Sequence, residues 1–291
     1  MTATTLERPL PALDAAATRP NDATPVRPQG LGTAIRSEWV KLRTLRSTWI
    51  GLASTLAVLV GFGAIAAAVS TGSVATPEGG DGGGPFGGAD PVSTVLMGAN
   101  FAVLLMGILG ALAGAREYGS RMIATTVAAV PRRWQVVTAK ATVFGAVSVV
   151  VSVVGVLGAF AIGMAVLSGG DAATLALTDD GVLRQVLGMA AYITAVGLIG
   201  MGLGILLRSV AGSIGAVVAV FMVLPPLAGA LLPDSWDPVL AYLPSSAASA
   251  FTSVQGAGSD VLGAGAGAWV LAAWVVAALG AAVVSMTRRD V

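Results

Sequence analysis

The sequence predicts an all-α polytopic membrane protein: six transmembrane helices, an N-terminal interfacial amphipathic helix, and a basic segment between helices two and three. Three observations carry this. Of 291 residues, 55% are hydrophobic and only 11% charged, with mean hydropathy +0.85. A soluble domain carries about 25% charged residues, so this chain has too few to cover a water-facing surface. Six apolar runs each reach the ~20 residues a helix needs to cross a ~30 Å hydrocarbon layer. Threading these spans from a cytoplasmic N-terminus puts fifteen of the sixteen cations on one side, with only Arg184 outside, which is the asymmetry that orients membrane proteins.

The elements follow in order. Residues 1–30 are rich in Pro, Ala and Thr without an apolar period. Such a stretch cannot bury enough to fold and is expected to be a disordered cytoplasmic tail, with no apolar core of signal-peptide type. Residues 31–48 predict an interfacial helix. Leu31, Ile35, Trp39, Leu42 and Leu45 share one face, with Trp49 a turn beyond. Arg36 and Arg43 lie on one flank and Lys41 on the other. This pattern places aromatics in the headgroup layer and cations toward water and anionic lipid. Read from the residues, it is either a basic anchor or a docking element.

The spans fall near 49–70, 94–115, 139–167, 184–207, 209–232 and 267–287. Only Arg208 and Ser209 separate the fourth from the fifth, so a tight helical hairpin is expected there. Pro225-Pro226 should kink the fifth span. Gly110 and Gly114, and Gly200 and Gly204, are one helical turn apart and permit close helix approach. The intervening outer segments, including an extracellular stretch at 233–266, are acidic. The 71–93 loop is Gly-rich, but it lacks the GK[ST] ending of a phosphate-binding loop.

Composition also excludes chemistry. There is no Cys and no His, so thiol nucleophiles, Cys metal sites and the commonest neutral-pH base are absent. No Walker A sequence occurs, so the chain is not expected to be an enzyme or to bind a cofactor itself. The interiors of the expected spans hold no Asp, Glu, Lys or His. Such a group costs about 2.5–3.5 kcal/mol at the bilayer centre and is kept for a purpose. A proton antiporter or an intramembrane aspartyl protease would need one. The cations gather at a membrane face, which points to lipid and not to nucleic acid.

The segment 116–138 is more elaborate than a connecting loop requires. It reads helix-compatible up to Val130, where Pro131 marks a turn. Arg132, Arg133 and Trp134 then begin a new amphipathic turn. Two short pieces bent under the membrane can insert into a soluble partner, or can simply be a solvated, lipid-touching loop. Three stretches bear on that choice. They are SEWVKLRTLRSTW (37–49), EYGSRMIATTVAAVPRRWQVVTAK (117–140) and YLPSSAASAF (242–251). In this order and spacing the chain resembles an ABC-2 type transporter permease of the actinobacterial kind, over residues 31–289. It departs at Gly119-Ser120, where basic or polar residues are common, and in its long N-terminal tail.

The resemblance implies a permease domain over 31–291 that pairs with a cytosolic ABC ATPase subunit and a second permease chain, as homo- or heterodimer. ATP-Mg would then sit on the partner, and transport would run as export from a bacterial plasma membrane, with both termini cytoplasmic. It also implies that 116–138 is a coupling segment. The coupling residues would be Glu117, Tyr118, Arg121, Thr125, Pro131, Arg132 and Arg133. The interfacial helix would contribute Arg36, Glu38, Trp39, Lys41 and Arg43. The alternatives are an ion-coupled secondary transporter, with a cation held at a broken fifth span, and a non-transporting membrane scaffold.

Overall fold

The computed structural model describes residues 30–74, 90–119, 133–170, 172–253 and 262–288. The expected tail, the centre of the Gly-rich loop and positions 120–132 of the coupling segment lie outside the described residues. Among those described, the regular structure is helical, and six helices are long and apolar enough to cross a membrane. The chain is an all-α, multi-pass membrane protein.

Helix α1 (Leu31–Thr44) ends where Leu45 turns extended, and α2 (Arg46–Ser70) starts at once. The indole of Trp49 donates to the carbonyl of Arg43 across this break (3.2 Å) and so satisfies one carbonyl that the end of α1 leaves open. The interfacial helix is therefore shorter than the sequence suggests, and the first span begins earlier. Helix α3 (Pro91–Val95) is a short separate piece. Asp90 accepts from the Ser93 amide (2.6 Å) and Ser93 Oγ accepts from the Asp90 amide (3.1 Å), a reciprocal cap that fixes its start. The second span, α4 (Ala99–Gly119), consequently starts and ends later than expected. The third, α5 (Arg133–Leu167), starts earlier than expected and absorbs Arg133 and Trp134.

Helix α6 (Val182–Leu207) is the centre of the molecule, packing on α4, on α5 and on the later helices. Helices α4 and α6 run in the same direction with backbones in contact. A methyl on Gly110 would strike the carbonyl of Gly197, one on Gly114 that of Met201, and one on Gly200 that of Gly107. The two glycine pairs singled out in the sequence thus belong to one seam, where small residues let main chains touch.

The corner after α6 is as tight as the sequence requires. Arg208 adopts φ 54°, a left-handed cap whose amide donates to Gly204, and Ser209 Oγ accepts from the Gly212 amide to start α7 (Val210–Val218). The fifth span continues through a π turn (Ala219–Val223) into α8 (Leu224–Leu231). Pro225 and Pro226 lack amide hydrogens and crowd the preceding carbonyls. The helix answers by widening just upstream, with the Leu224 amide donating to the carbonyl of Ala219.

The 233–266 stretch is folded in part. After a 3-10 turn (Asp234–Trp236) come α9 (Asp237–Leu240) and α10 (Pro244–Thr252). Helix α10 buries Ala247, Ala248 and Phe251 against α6 and the last span, α11 (Ala264–Arg288). The Trp274 indole of α11 also donates to the carbonyl of Tyr242 (2.9 Å). Because the helices alternate in direction, Lys41, Arg116, Lys140 and Arg208 gather at one end, the basic end. Asp90, Asp179, Asp180, Asp234 and Asp237 lie at the other, the acidic end.

Candidate functional site

The basic end is built around four charged side chains from three helices. Helix α1 contributes Glu38 and Lys41, three residues apart and so on one face. The last turn of α4 contributes Glu117, and the second turn of α5 contributes Lys140. Lys41 Nζ lies 2.7 Å from Glu38 Oε1 and 2.8 Å from Glu117 Oε1. Lys140 Nζ lies 2.8 Å from Glu38 Oε2 and 3.0 Å from Glu117 Oε1. Each carboxylate thus touches both ammonium groups, and the four charges close into a neutral ring. Glu38 is 6% exposed and Lys140 8%, so this side of the ring is removed from water, where an unpaired charge costs several kcal/mol, while Lys41 keeps 32% of its side chain exposed. Burial opposes the charge on Lys41, but the hydrogen bonds and charges of Glu117 and Glu38 outweigh it and hold the ammonium above its ordinary value of 10.5.

Beside the ring lies a cavity of about 100 Å³ between α1 and the spans, with Leu109, Leu112, Val143 and Phe144 among its walls. Packing is incomplete there, and the ring ties α1 to the spans alongside the core contacts of Ala34 and Ile35. Arg116 adds a tie from α4 to α2 through Ser47 Oγ (3.2 Å).

A second set of contacts gathers the remaining helix ends. Arg133 Nη1 donates to the carbonyl of Met286 (2.9 Å), and Arg208 Nη2 donates to that of Ser285 (3.4 Å). Both satisfy carbonyls at the C-terminal end of α11, where cations are favoured. The Arg208 guanidinium also lies 5.1 Å from the centre of the Tyr118 ring, a cation–π distance. The interactions of Arg208 offset the roughly 1–2 kcal/mol that a non-glycine residue spends in the left-handed region.

Of the expected coupling residues, Glu117, Tyr118 and Arg133 fall in this network, while Arg121, Thr125, Pro131 and Arg132 lie outside the described residues. Of the helix residues, Glu38 and Lys41 are drawn into the ring, and Arg36, Trp39 and Arg43 are exposed. This corrects the expected face of α1: Lys41 turns toward protein, not toward water and lipid. The buried edge is Ala34 and Glu38, because a pair of charged groups found partners on α4 and α5. Two members were missed by sequence reasoning. Lys140 carried a signal, as one of only two lysines in a chain with fourteen arginines. Arg208 carried another, as a cation wedged between two spans with no linker to hold it.

These features define a multi-pass helical membrane protein whose helix ends at one side are joined by buried ion pairs to an interfacial helix. Residues 34–226 match the family of ABC-2 family transporter proteins. The chain belongs to that family and is a permease component of an ABC transporter, a transport subunit whose membership implies association with an ABC ATPase. The matched region begins in α1 and includes all four residues of the ring. No curated protein matches the chain.

Proposed function

We propose that this chain is the membrane half of an ATP-driven exporter, working with a separate ATPase that carries the ATP-Mg. The ring of Glu38, Lys41, Glu117 and Lys140 carries this reading. Glu117 and Arg133 bracket positions 120–132, the stretch that the family resemblance assigns to the ATPase. A partner that presses there moves the end of α4 against the start of α5. Both carry a member of the ring, so the displacement reaches α1 without any contact between α1 and the partner. The exposed Arg36, Trp39 and Arg43 are free to meet the headgroup layer or the partner. In this arrangement the basic end and both termini are cytoplasmic, the membrane is a bacterial plasma membrane, and a second permease chain completes the pathway. The ion-coupled alternative asked for unwound backbone at the fifth span. That span stays helical on both sides of its prolines and is not unwound as that alternative asks.

The test is isolation of the full chain from its native membrane, with a vanadate-sensitive ATPase assay on the eluate. A stoichiometric ATP-binding subunit, lost when 116–138 is altered, supports the reading. A chain recovered alone, beside a control complex that survives the same detergent, overturns it.

A further inference from the structure

A cavity of about 480 Å³ opens in the acidic half of the molecule, bounded by the first turns of α4, by α6, by the π turn and by α10. Its size is that of a small-molecule site, ~300–1,000 Å³. Its walls are of two kinds. Asn100, Tyr192, Ser245, Ser249 and Thr252 bring an amide and four hydroxyls. Phe101, Met189, Phe221 and Met222 bring two rings and two flexible thioethers, which adapt to irregular shapes. Among the described residues no Asp, Glu, Lys or Arg lines it.

The polar wall has unspent hydrogen-bonding capacity. Ser245 Oγ is buried with no hydrogen-bond partner among the described residues. Ser249 and Thr252 donate to carbonyls of their own helix, which leaves their lone pairs open. The Asn100 amide reaches the carbonyl of Met97 only at 3.4 Å, and its own oxygen stays available. Such groups on the wall of a partly enclosed cavity favour a ligand that hydrogen-bonds. With no counter-charge on the wall, a charged ligand would be desolvated without compensation.

We propose that this cavity is a cargo site for an uncharged amphiphile. Its hydroxyl, ester or amide head sits against Tyr192 and Ser245, and its apolar body against Phe101, Phe221 and Met222. The proposal rests on the exporter reading only in naming the ligand as cargo. The π turn shapes the site. It adds one residue to a turn, and without it the two halves of the span would be rotated by about 100° relative to each other, which would re-aim Phe221 and Met222.

The experiment uses the full chain in lipid nanodiscs with two photoreactive probes, a diazirine-bearing monoacylglycerol and the matching lysophosphatidate. Adducts of the neutral probe should concentrate on the first turns of α4, on Tyr192 and on the π turn, several-fold above those of the anionic one. Tyr192→Phe with Ser245→Ala should lower the yield by about tenfold, as expected for losing two hydrogen bonds. Ser249→Leu, at an exposed position of α10, narrows the cavity from its wall and should lower labelling several-fold in a chain of unchanged helical content. Equal labelling by both probes, adducts scattered over the lipid-facing spans, or variants without effect would overturn the site. With the ATPase reconstituted, turnover should deplete the adducts of a cargo. Labelling that ignores turnover identifies a resident lipid and overturns the cargo role. Failure to find any ATPase removes the exporter reading by itself, and is read independently of the neutral-probe selectivity.

Discussion

Lys140 is 8% exposed and faces two carboxylates, so deleting its charge does more than remove one ion pair. Lys140→Met leaves Glu38 and Glu117 sharing one ammonium, and breaking a buried pair from one side costs about 3–5 kcal/mol. A lower unfolding temperature, followed by tryptophan fluorescence, is the expected result. Adding Glu38→Gln restores charge balance, so the double variant should lose less than the sum of the singles. Lys41 gives a pH test. Its folded value is raised, so its contribution is complete below 10.5 and is lost as pH climbs through the raised value. The unfolding temperature should hold up to that point and then fall. Lys41→Arg should hold further, since a guanidinium keeps its proton. Three of the four members of this ring were singled out in the sequence. Glu38, Lys41 and Glu117 were named through the family resemblance, which gave Lys140 no role. Their pairing was not legible: Glu38 and Lys140 are 102 positions apart, and periodicity carries no distance across such a gap.

At the scale of the element, the α4–α6 seam makes the sharpest demand. Gly200→Leu or Gly110→Leu would drive a side chain into the facing backbone, and no rotamer can relieve a clash with a main-chain carbonyl. Both should fail to give a monodisperse protein by size-exclusion chromatography. Gly215→Leu and Gly280→Leu meet nothing within 4 Å and should be recovered normally, which separates close approach from a general dislike of bulk. The sequence showed that these glycines suit a helix crossing but not which helices cross, because every span of this chain is rich in small residues. The boundaries shifted for a related reason. Apolar runs mark where lipid is, whereas α5 extends to Arg133 and α4 to Gly119 because their polar ends find partners at the basic end. In the fifth span the prolines foretold an irregularity. Its form, a π turn and not a simple kink, depends on where the displaced carbonyls can rebond.

At the scale of the molecule, α4 joins the two sites. It carries Glu117 at the basic end and Asn100 and Phe101 in the cavity wall, about 25 Å apart along the helix axis. Its backbone contact with α6, which carries Tyr192, makes the pair a stiff unit, so a displacement at the ring reaches the cavity as motion of a wall. This yields a test that separates two roles for Glu117. Glu117→Gln and Glu38→Gln open the same ring from opposite sides and remove the same charge. If the ring transmits motion, both should leave ATP hydrolysis by the reconstituted complex near its original rate and lower transport at least tenfold, although Glu38 lies on α1, outside the coupling segment. If Glu117 instead acts by touching the ATPase directly, only Glu117→Gln will uncouple, and Glu38→Gln will transport normally at matched protein recovery. Equal transport by both variants and the unaltered protein would leave the ring a structural clamp and return the coupling role to positions 120–132.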